Sequence, residues 1–335
     1  MENFSQQCEQ CLGVTMSKKN NMKYIYTFKE LTKKDAHIAG GKGASLGEMT
    51  NAKIPVPGGF VITSESFEFF LAQNDLTQEI ESILKKVNHK EMESVERASE
   101  SIKELILKAS LPKEMQKSIK INFSKLKAKF VAVRSSATAE DGAEHAWAGQ
   151  LDSFLNTTSK KLEENIKRCF ASLFTPRAIF YRFEKGLDKS HISVAVVVQK
   201  MIQSEKSGIA FSVHPVTEDR NQMIIEGSWG LGEAIVSGQI TPDSYVVEKD
   251  TNTIIDTNTA EKSKGLFGDG KGKNVWKTIP GKKANTECLS GKEVIALGEI
   301  IKQIEKHYGF PCDIEWAFEK KNFFITQSRP ITTLK

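Results

Sequence analysis

The chain has 335 residues, of which 39% are hydrophobic and 27% charged, with a formal net charge of +5. That length allows two domains or one large two-lobed one, and the balance is that of a folded globular protein rather than a disordered one. A charge this mild, with lysines spread along the whole sequence, gives no argument for nucleic acid. No apolar run approaches the roughly 20 residues that cross a bilayer.

Residues 1–22 are polar, lack the apolar core of a signal peptide and are predicted to be a disordered tail. The five cysteines, Cys8, Cys11, Cys169, Cys288 and Cys312, are irregularly spaced. That pattern fits reduced thiols and predicts a cytoplasmic protein. Cys8 and Cys11 form a C-x-x-C, but no partner ligands accompany them, so two free thiols in a tail is the simpler reading.

Fold-like patterning begins near Lys23. Tyr24–Phe28 reads as a strand. Three glycines then surround Lys42 in the stretch from Ala39 to Met49, just before a helix-compatible run. Glycines let backbone approach a ligand closely, a helix start favours anions, and Lys42 would add a point charge. The spacing is not that of a Walker A loop, and a plain turn before a helix fits as well. Ile54–Thr63 predicts a loop entering a strand, with Ser64 as N-cap of the next helix. Leu76–Lys129 is charged and helical. Its apolar stripes are Ile80, Ile83, Leu84, Val87 and then Ile102, Leu105, Ile106, Ala109, and Pro112 begins a further helix.

Phe130–Val133 predicts a buried strand running straight into Arg134 and a series of small hydroxyl residues. An arginine there is costly unless something binds it. A phosphate would serve, as would a salt bridge to Glu140 or Asp141. Helical sequence follows over Leu162–Phe183, and Ile192–Met201 is a strong strand ending in polar residues. Strands are predicted at Ser207–Val213, Met223–Glu226, Tyr245–Glu248 and Thr253–Ile255. Lys262–Gly281 reads as a long loop or loose hairpin with solvated charge. Ser290 should cap a helix over Lys292–Tyr308 that Gly309 ends.

The segment Asp313–Pro330 reads as a closing hairpin with aromatic and β-branched flanks. A two-residue turn at Lys320-Lys321 would set Glu315 opposite Thr326. A three-residue loop that includes Asn322 sets it opposite Gln327, with Arg329 two residues further on. The second register is preferred: Ile314, Trp316, Phe318, Phe324 and Thr326 share a core face. Glu315, Gln327 and Arg329 share the other, with Ala317 and Ile325. A carboxylate, an amide oxygen and a guanidinium suit a divalent cation and a polyphosphate, although an ordinary surface hairpin also carries polar residues. The whole predicts an α+β fold of two lobes with a cleft between them.

Seven ordered motifs now carry a resemblance: AGGKGASLGEM at 39–49, PVPGGFVIT at 55–63, VAVRSSATAEDG at 131–142, WAGQLDSFLN at 147–156, FASLFTPRAIFYR at 170–182, IIEGSWGLGEAIVSGQITPDSYVV at 224–247 and DIEWAFEKKNFFITQSRPITTL at 313–334. Together they resemble the nucleotide-binding domain of the phosphoenolpyruvate synthase family, shared with pyruvate phosphate dikinase and rifampicin phosphotransferase, over about residues 23–334. The resemblance implies an ATP-grasp fold, with one lobe over 23–200 carrying a helical insertion and a second over 201–335 ending in the hairpin. It implies ATP and Mg²⁺ as ligands. Lys42 and Arg134 would contact the phosphates. Gly149 and Ser153 would lie in a loop over them, where the family often has Thr at the second position. Gln199 would sit by the adenine. Glu315 and Gln327 would hold Mg²⁺, while Arg134 and Arg329 would serve catalysis. The implied reaction passes the β-phosphoryl group of ATP to a histidine, releasing AMP and phosphate.

Family members carry that histidine on a separate swivelling domain, followed by a domain for pyruvate or the drug. None of His37, His89, His145, His191, His214 and His307 lies in such a motif. The implied partner is therefore a polypeptide bearing those domains. A component of a drug phosphotransferase, or a nucleotide-binding module without transfer activity, are the other readings.

Overall fold

The computed structural model describes residues 22–138, 141–142, 145–146, 151–186, 192–332 and 334. Gly149, Cys8, Cys11 and His191 lie outside the described residues.

Strand β1 (Ile25–Thr27), helix α1 (Ala36–Asn51) and strand β2 (Gly59–Ile62) open the fold. Helix α1 begins before the glycines rather than after them. Gly40 breaks it internally with φ 65° and ψ 170°, in the left-handed region that only glycine enters freely. Four helices follow: α2 (Ser64–Gln73), α3 (Leu76–Lys85), α4 (Met92–Lys108) and α5 (Lys113–Lys125). Thr63, not Ser64, caps α2, because its hydroxyl accepts from the Ser66 amide at 3.1 Å. Strand β3 (Val131–Ala137) carries Arg134, and the short strands β4 (Asp141–Gly142) and β5 (His145–Ala146) pair with each other. Strand β6 (Ser153–Thr157), helices α6 (Leu162–Ala171) and α7 (Pro176–Glu184) and strand β7 (Val194–Lys200) complete the first sheet region.

The first sheet is antiparallel, in the order β1-β2-β7-β3-β6. Its strands are apolar on both faces because both are covered. Ile62, Val131, Val133, Val194, Val196 and Val198 pack against α2–α7, while Val61, Ala195 and Val197 face the side of α1. Burying each valine or isoleucine side chain among them contributes roughly 1.5–3 kcal/mol.

The second sheet is built from β8 (Lys206–Phe211), β9 (Gln222–Trp229), β10 (Asp243–Glu248), β11 (Thr253–Asn258), β14 (Cys312–Glu319) and β15 (Asn322–Pro330). A four-residue helix α8 (Glu233–Val236), a separate hairpin of β12 (Lys264–Gly268) and β13 (Asn274–Thr278), a helical turn α9 (Gly281–Ala284) and helix α10 (Gly291–Tyr308) intervene. The sheet order is β11-β10-β9-β8-β14-β15, again antiparallel, and helix α10 covers one face. Helix α10 starts at Ser290, whose capping box uses Glu293, and stops at Gly309, φ 76°. The architecture is α+β. Strands of the first sheet come from residues 25–200 and those of the second from 206–330, but one apolar cluster joins Val61 and Val197 to Leu297 and Ile314.

Two expectations are corrected here. Lys262–Gly281 is an ordered hairpin, and Lys262 is buried rather than solvated. Its ammonium pairs with Asp243 Oδ1 and donates to the Ala260 carbonyl at 2.7 Å. Asp243 also accepts from the amides of Ala260 at 3.0 Å and Cys288 at 2.7 Å, so every buried charge there has partners. The second correction concerns the closing hairpin. Its turn has two residues, Lys320 and Lys321, at φ 52° and 64°, with Glu319 paired to Asn322. A β-bulge between Glu315 and Trp316 then skips Thr326, so Glu315 still faces Gln327. Ile325 consequently enters the core opposite Trp316, and Phe324 turns to the Ala317 face.

Asp243→Ala strands a buried ammonium and two amides, and should cost about 3–5 kcal/mol in urea unfolding. Lys262→Met should cost less, because Asp243 keeps its amide donors. Equal losses would contradict this account of the pair. At the first turn, Glu30 accepts from Lys23 Nζ at 2.6 Å and from the Thr27 hydroxyl and amide, which lower its pKa from 4.5 to about 2. A depressed carboxylate pKa stabilises above the unfolded value and loses that contribution as pH falls from about 4.5 towards 2. Thermal unfolding of Glu30→Gln should fall below wild type at neutral pH and converge with it in acid; a gap that stays constant with pH would refute the assignment.

Candidate functional site

Between the two sheets lies a cavity of about 460 Å³, a volume suited to a small ligand. Lys42, Arg134, Ser153, Gln199, Glu315, Gln327 and Arg329 all line it. Of the eight site residues expected from the sequence, the structure brings these seven to one place; Gly149 is outside the described residues.

Helix α1 delivers Lys42 because the residues that follow it are anchored. The Gly43 amide donates to Ser136 Oγ on β3 at 3.3 Å, and Ser45 Oγ donates to the Ser328 carbonyl on β15 at 2.8 Å. The approach depends on Gly40: a Cβ there would lie 2.2 Å from Ser136 Oγ and 2.4 Å from the Ser136 carbonyl oxygen.

Arg134 crosses from the first sheet to the second. Its Nη1 donates to the Thr326 carbonyl at 2.8 Å, and its Nη2 donates to Gln327 Oε1 at 2.6 Å and Glu315 Oε2 at 3.2 Å. The bulge matters here, since Thr326, the residue skipped by the ladder, supplies the carbonyl. Glu140 and the side chain of Asp141, the alternative partners for the guanidinium, lie outside the described residues. Ser153 pairs with Arg134 across β3 and β6, so it opens a strand on the cavity wall rather than sitting in a loop.

Arg329 is held from behind. Its Nε and Nη2 donate to Asp313 Oδ2 at 2.8 and 2.7 Å. Burial pushes the Asp313 carboxyl above its ordinary range, against the pull of Arg329. Sequence reasoning passed over Asp313, although its alternation with Glu315 on one strand was a usable signal. The same register runs a row across the sheet from Gln327 through Glu315 and Ile209 to Glu226, whose pKa burial also raises.

Gln199 lies mid-sheet between Gly59 and Ala132. Its Nε2 is buried and has no hydrogen-bond partner among the described residues, a state that costs roughly 1–3 kcal/mol unless a ligand supplies an acceptor. Ser204, Ser207, Leu231 and Glu233 also line the cavity and were not singled out from sequence. They come from separate segments with no shared spacing.

Residues 36–335 match the family described as pyruvate phosphate dikinase, AMP/ATP-binding domain. The chain belongs to that family. It is similar to the probable phosphoenolpyruvate synthase of Methanocaldococcus jannaschii, 43% identical over 97% of this chain and 28% of that protein. It is similar to the probable phosphoenolpyruvate synthase of Methanothermobacter thermautotrophicus, 44% identical over 93% of this chain and 46% of the relative. The rifampicin phosphotransferase of Bacillus cereus is 37% identical over 93% of this chain and 36% of its own length. This AMP/ATP-binding domain thus spans less than half the length of the curated relatives named. Among the described residues, no helix is long and apolar enough to cross a membrane.

The oxygens at the hairpin fit a hard divalent cation. Glu315 Oε2 and Gln327 Oε1 converge on one guanidinium nitrogen, and Glu315 Oε1 has no donor among the described residues. Mg²⁺ characteristically takes one or two such protein oxygens and completes its shell with water and phosphate.

Arg134→Ala removes the donor that both hairpin oxygens share and should destabilise the chain by about 1–3 kcal/mol in urea unfolding. Arg134→Lys should recover only part of this, because an ammonium lacks the planar fork that reaches three acceptors. A change below about 0.5 kcal/mol for Arg134→Ala would remove the residue from this bridging role.

Proposed function

We propose that this domain binds ATP in the cavity with an ATP-grasp arrangement of two lobes, divided near residue 200. In that reading it is the phosphotransferase module of a phosphoenolpyruvate synthase-type enzyme. The observation that carries the reading is the meeting of Lys42, Arg134, Arg329, Glu315 and Gln327 on the wall of one cavity, drawn from elements up to 287 residues apart in sequence. Three cations and two oxygen ligands are what a triphosphate with its metal requires.

Each group has a role in this reading. Lys42 and Arg134 bind and orient the phosphates, and Ser153 lies beside them. Gln199 offers its unpartnered Nε2 to the adenine. Glu315 and Gln327 would hold Mg²⁺, which when bound offsets charge on the phosphate oxygens. Arg329, braced by Asp313, faces the developing charge at the reacting phosphorus, where positioned cations lower the barrier more than acid–base chemistry does. An imidazole nitrogen bonds to the β-phosphorus as the bond from that phosphorus to the AMP oxygen breaks. Water then cleaves the remaining anhydride and phosphate leaves.

The acceptor histidine belongs to another domain or polypeptide. Among the described residues no histidine lines the cavity. His307 pairs with Glu48 at 2.8 Å, His214 Nδ1 accepts from two amides of its own turn, and His89 stacks on Phe183. The swivelling domain and the pyruvate domain of such enzymes would supply the histidine and the final acceptor.

The test incubates the chain with Mg²⁺ and β-labelled ATP, with and without a separately expressed swivelling domain. Label should pass to that domain's histidine, and adding pyruvate or rifampicin then identifies the last acceptor. ATP binding with no transfer to a competent domain would overturn the transfer reading. Glu315→Gln should lower Mg²⁺-dependent turnover at least about tenfold, given the usual worth of a charged contact; unchanged turnover would take Glu315 out of the metal site.

A further inference from the structure

The β12–β13 hairpin touches both sheets, and its two ends are held differently. Its base is built into the side of the second sheet. The buried Lys262 ammonium pairs with Asp243 on β10, the Leu231 amide donates to the Leu266 carbonyl at 2.8 Å, and Phe267 and Ile279 pack in the apolar cluster that includes α10. Its tip reaches the first sheet through polar contacts. Lys129 Nζ, just before β3, donates to the Gly270 carbonyl at 2.9 Å, and Asn156 Nδ2, on β6, donates to Asn274 Oδ1 at 2.7 Å. A Cβ on Gly272 would lie 2.9 Å from Thr158 Cγ2, so the tip rests directly on the end of β6. Asn274 in turn donates to Glu233 Oε2 at 2.9 Å, back on the side of the second sheet.

The tip keeps its shape without help from the first sheet. Asp269 Oδ1 accepts from the amides of Lys271 at 2.7 Å and Lys273 at 2.9 Å, and the Asp269 amide donates to the Lys273 carbonyl at 2.9 Å. It can therefore leave β6 and return as one piece.

The chain crosses between the sheets once, through residues 201–205. Gln203 of that crossing donates from Nε2 to Asn156 Oδ1 at 2.7 Å, so the crossing and the hairpin tip meet at one buried asparagine. Leu266 of the hairpin packs with Leu155, Met201 and Leu231, and those three line the cavity. Two sheets that share a single crossing part by hinge motion about it. Such a motion carries the hairpin base with the second sheet and Lys129 and Asn156 with the first, so it must break both tip bonds. Two hydrogen bonds of this kind shift an opening equilibrium by roughly five- to a hundredfold. We propose that the β12–β13 hairpin is a releasable brace across this hinge, whose tip bonds set how fast a nucleotide enters and leaves the cavity. None of Lys129, Asn156, Gly270, Gly272 and Asn274 lines the cavity. The brace therefore favours the closed arrangement equally with and without nucleotide, and slows entry and exit by the same factor. The inference rests on the reading of the cavity as the ATP site.

The test follows N-methylanthraniloyl-ATP with Mg²⁺ by stopped-flow fluorescence on the full chain, alongside thermal unfolding. Lys129→Met, at an exposed position remote from the cavity lining, removes one tip bond. It should speed association and dissociation together by roughly two- to tenfold and leave their ratio, the Kd, within about twofold. A second variant replaces residues 268–274 with an Asn-Gly turn that joins Phe267 to Val275, which removes the whole tip and keeps the apolar base. Its dissociation should be faster still. A merely structural role would lower the unfolding temperature without the matched change in both rates. Dissociation that speeds alone in Lys129→Met, with a weakened Kd, overturns the proposal, and so do wild-type rates in the truncated hairpin. If the truncated chain does not fold, Lys129→Met decides, and unchanged rates there overturn the brace. Each of these results leaves the ATP site standing; a wild type that binds no nucleotide sinks the reading of the cavity and the brace with it.

Discussion

One guanidinium holds the site together. Arg134 sits on a central strand of the first sheet with its side chain only 10% exposed, yet its three side-chain bonds among the described residues go to the second sheet. A desolvated arginine with a missing partner would cost several kcal/mol. The position of β14 and β15 relative to β3 is therefore tightly constrained. The same constraint reaches α1, because Ser136, two residues along from Arg134, meets Gly43, and Ser328, one residue beyond Gln327, meets Ser45. Lys42 lies directly before those two anchors on the same helix. Placing one cation thus places the other.

The closing hairpin was partly legible in sequence. Alternation identified Glu315, Gln327 and Arg329 as one face, and the pairing of Glu315 with Gln327 is the observed one. The route to it was not legible. An odd residue can be absorbed in the loop or in the strand, and parity alone does not separate the two. Lys320-Lys321 gives no sign of a tight turn, since lysine seldom takes positive φ, whereas Asn322 invited a longer loop. The difference has consequences: the bulge sends Ile325 to the core and turns the Thr326 carbonyl to Arg134. Register in a strand follows the whole apolar pattern, and here burying Ile325 with Trp316 outweighs the preference of the turn.

Other parts were invisible for a different reason. The helical stripes, the cap at Ser290 and the stop at Gly309 are local, and each was read from neighbouring residues. The Lys262–Asp243 pair and the hydrogen-bonded series Gln203–Asn156–Asn274–Glu233 join side chains separated by 19 to 118 positions. No period or spacing marks them. A lysine in a Lys- and Gly-rich stretch reads as solvated until its carboxylate is known to lie beside it.

The polar groups of the cavity divide according to whether the fold satisfies them. Arg134, Asp313 and Asn274 have partners within the chain, and their work is to fix the positions of others. Gln199 Nε2 and Glu315 Oε1 have none among the described residues. A fold can retain a buried orphan donor at roughly 1–3 kcal/mol only if something else recovers that cost. The first is a buried donor and the second an acceptor on a partly exposed carboxylate, and both residues line the cavity. A ligand that satisfies both must offer an acceptor on a flat apolar group and carry a cation on an anionic tail. A nucleoside polyphosphate with a divalent metal would meet both needs, as the proposed function requires.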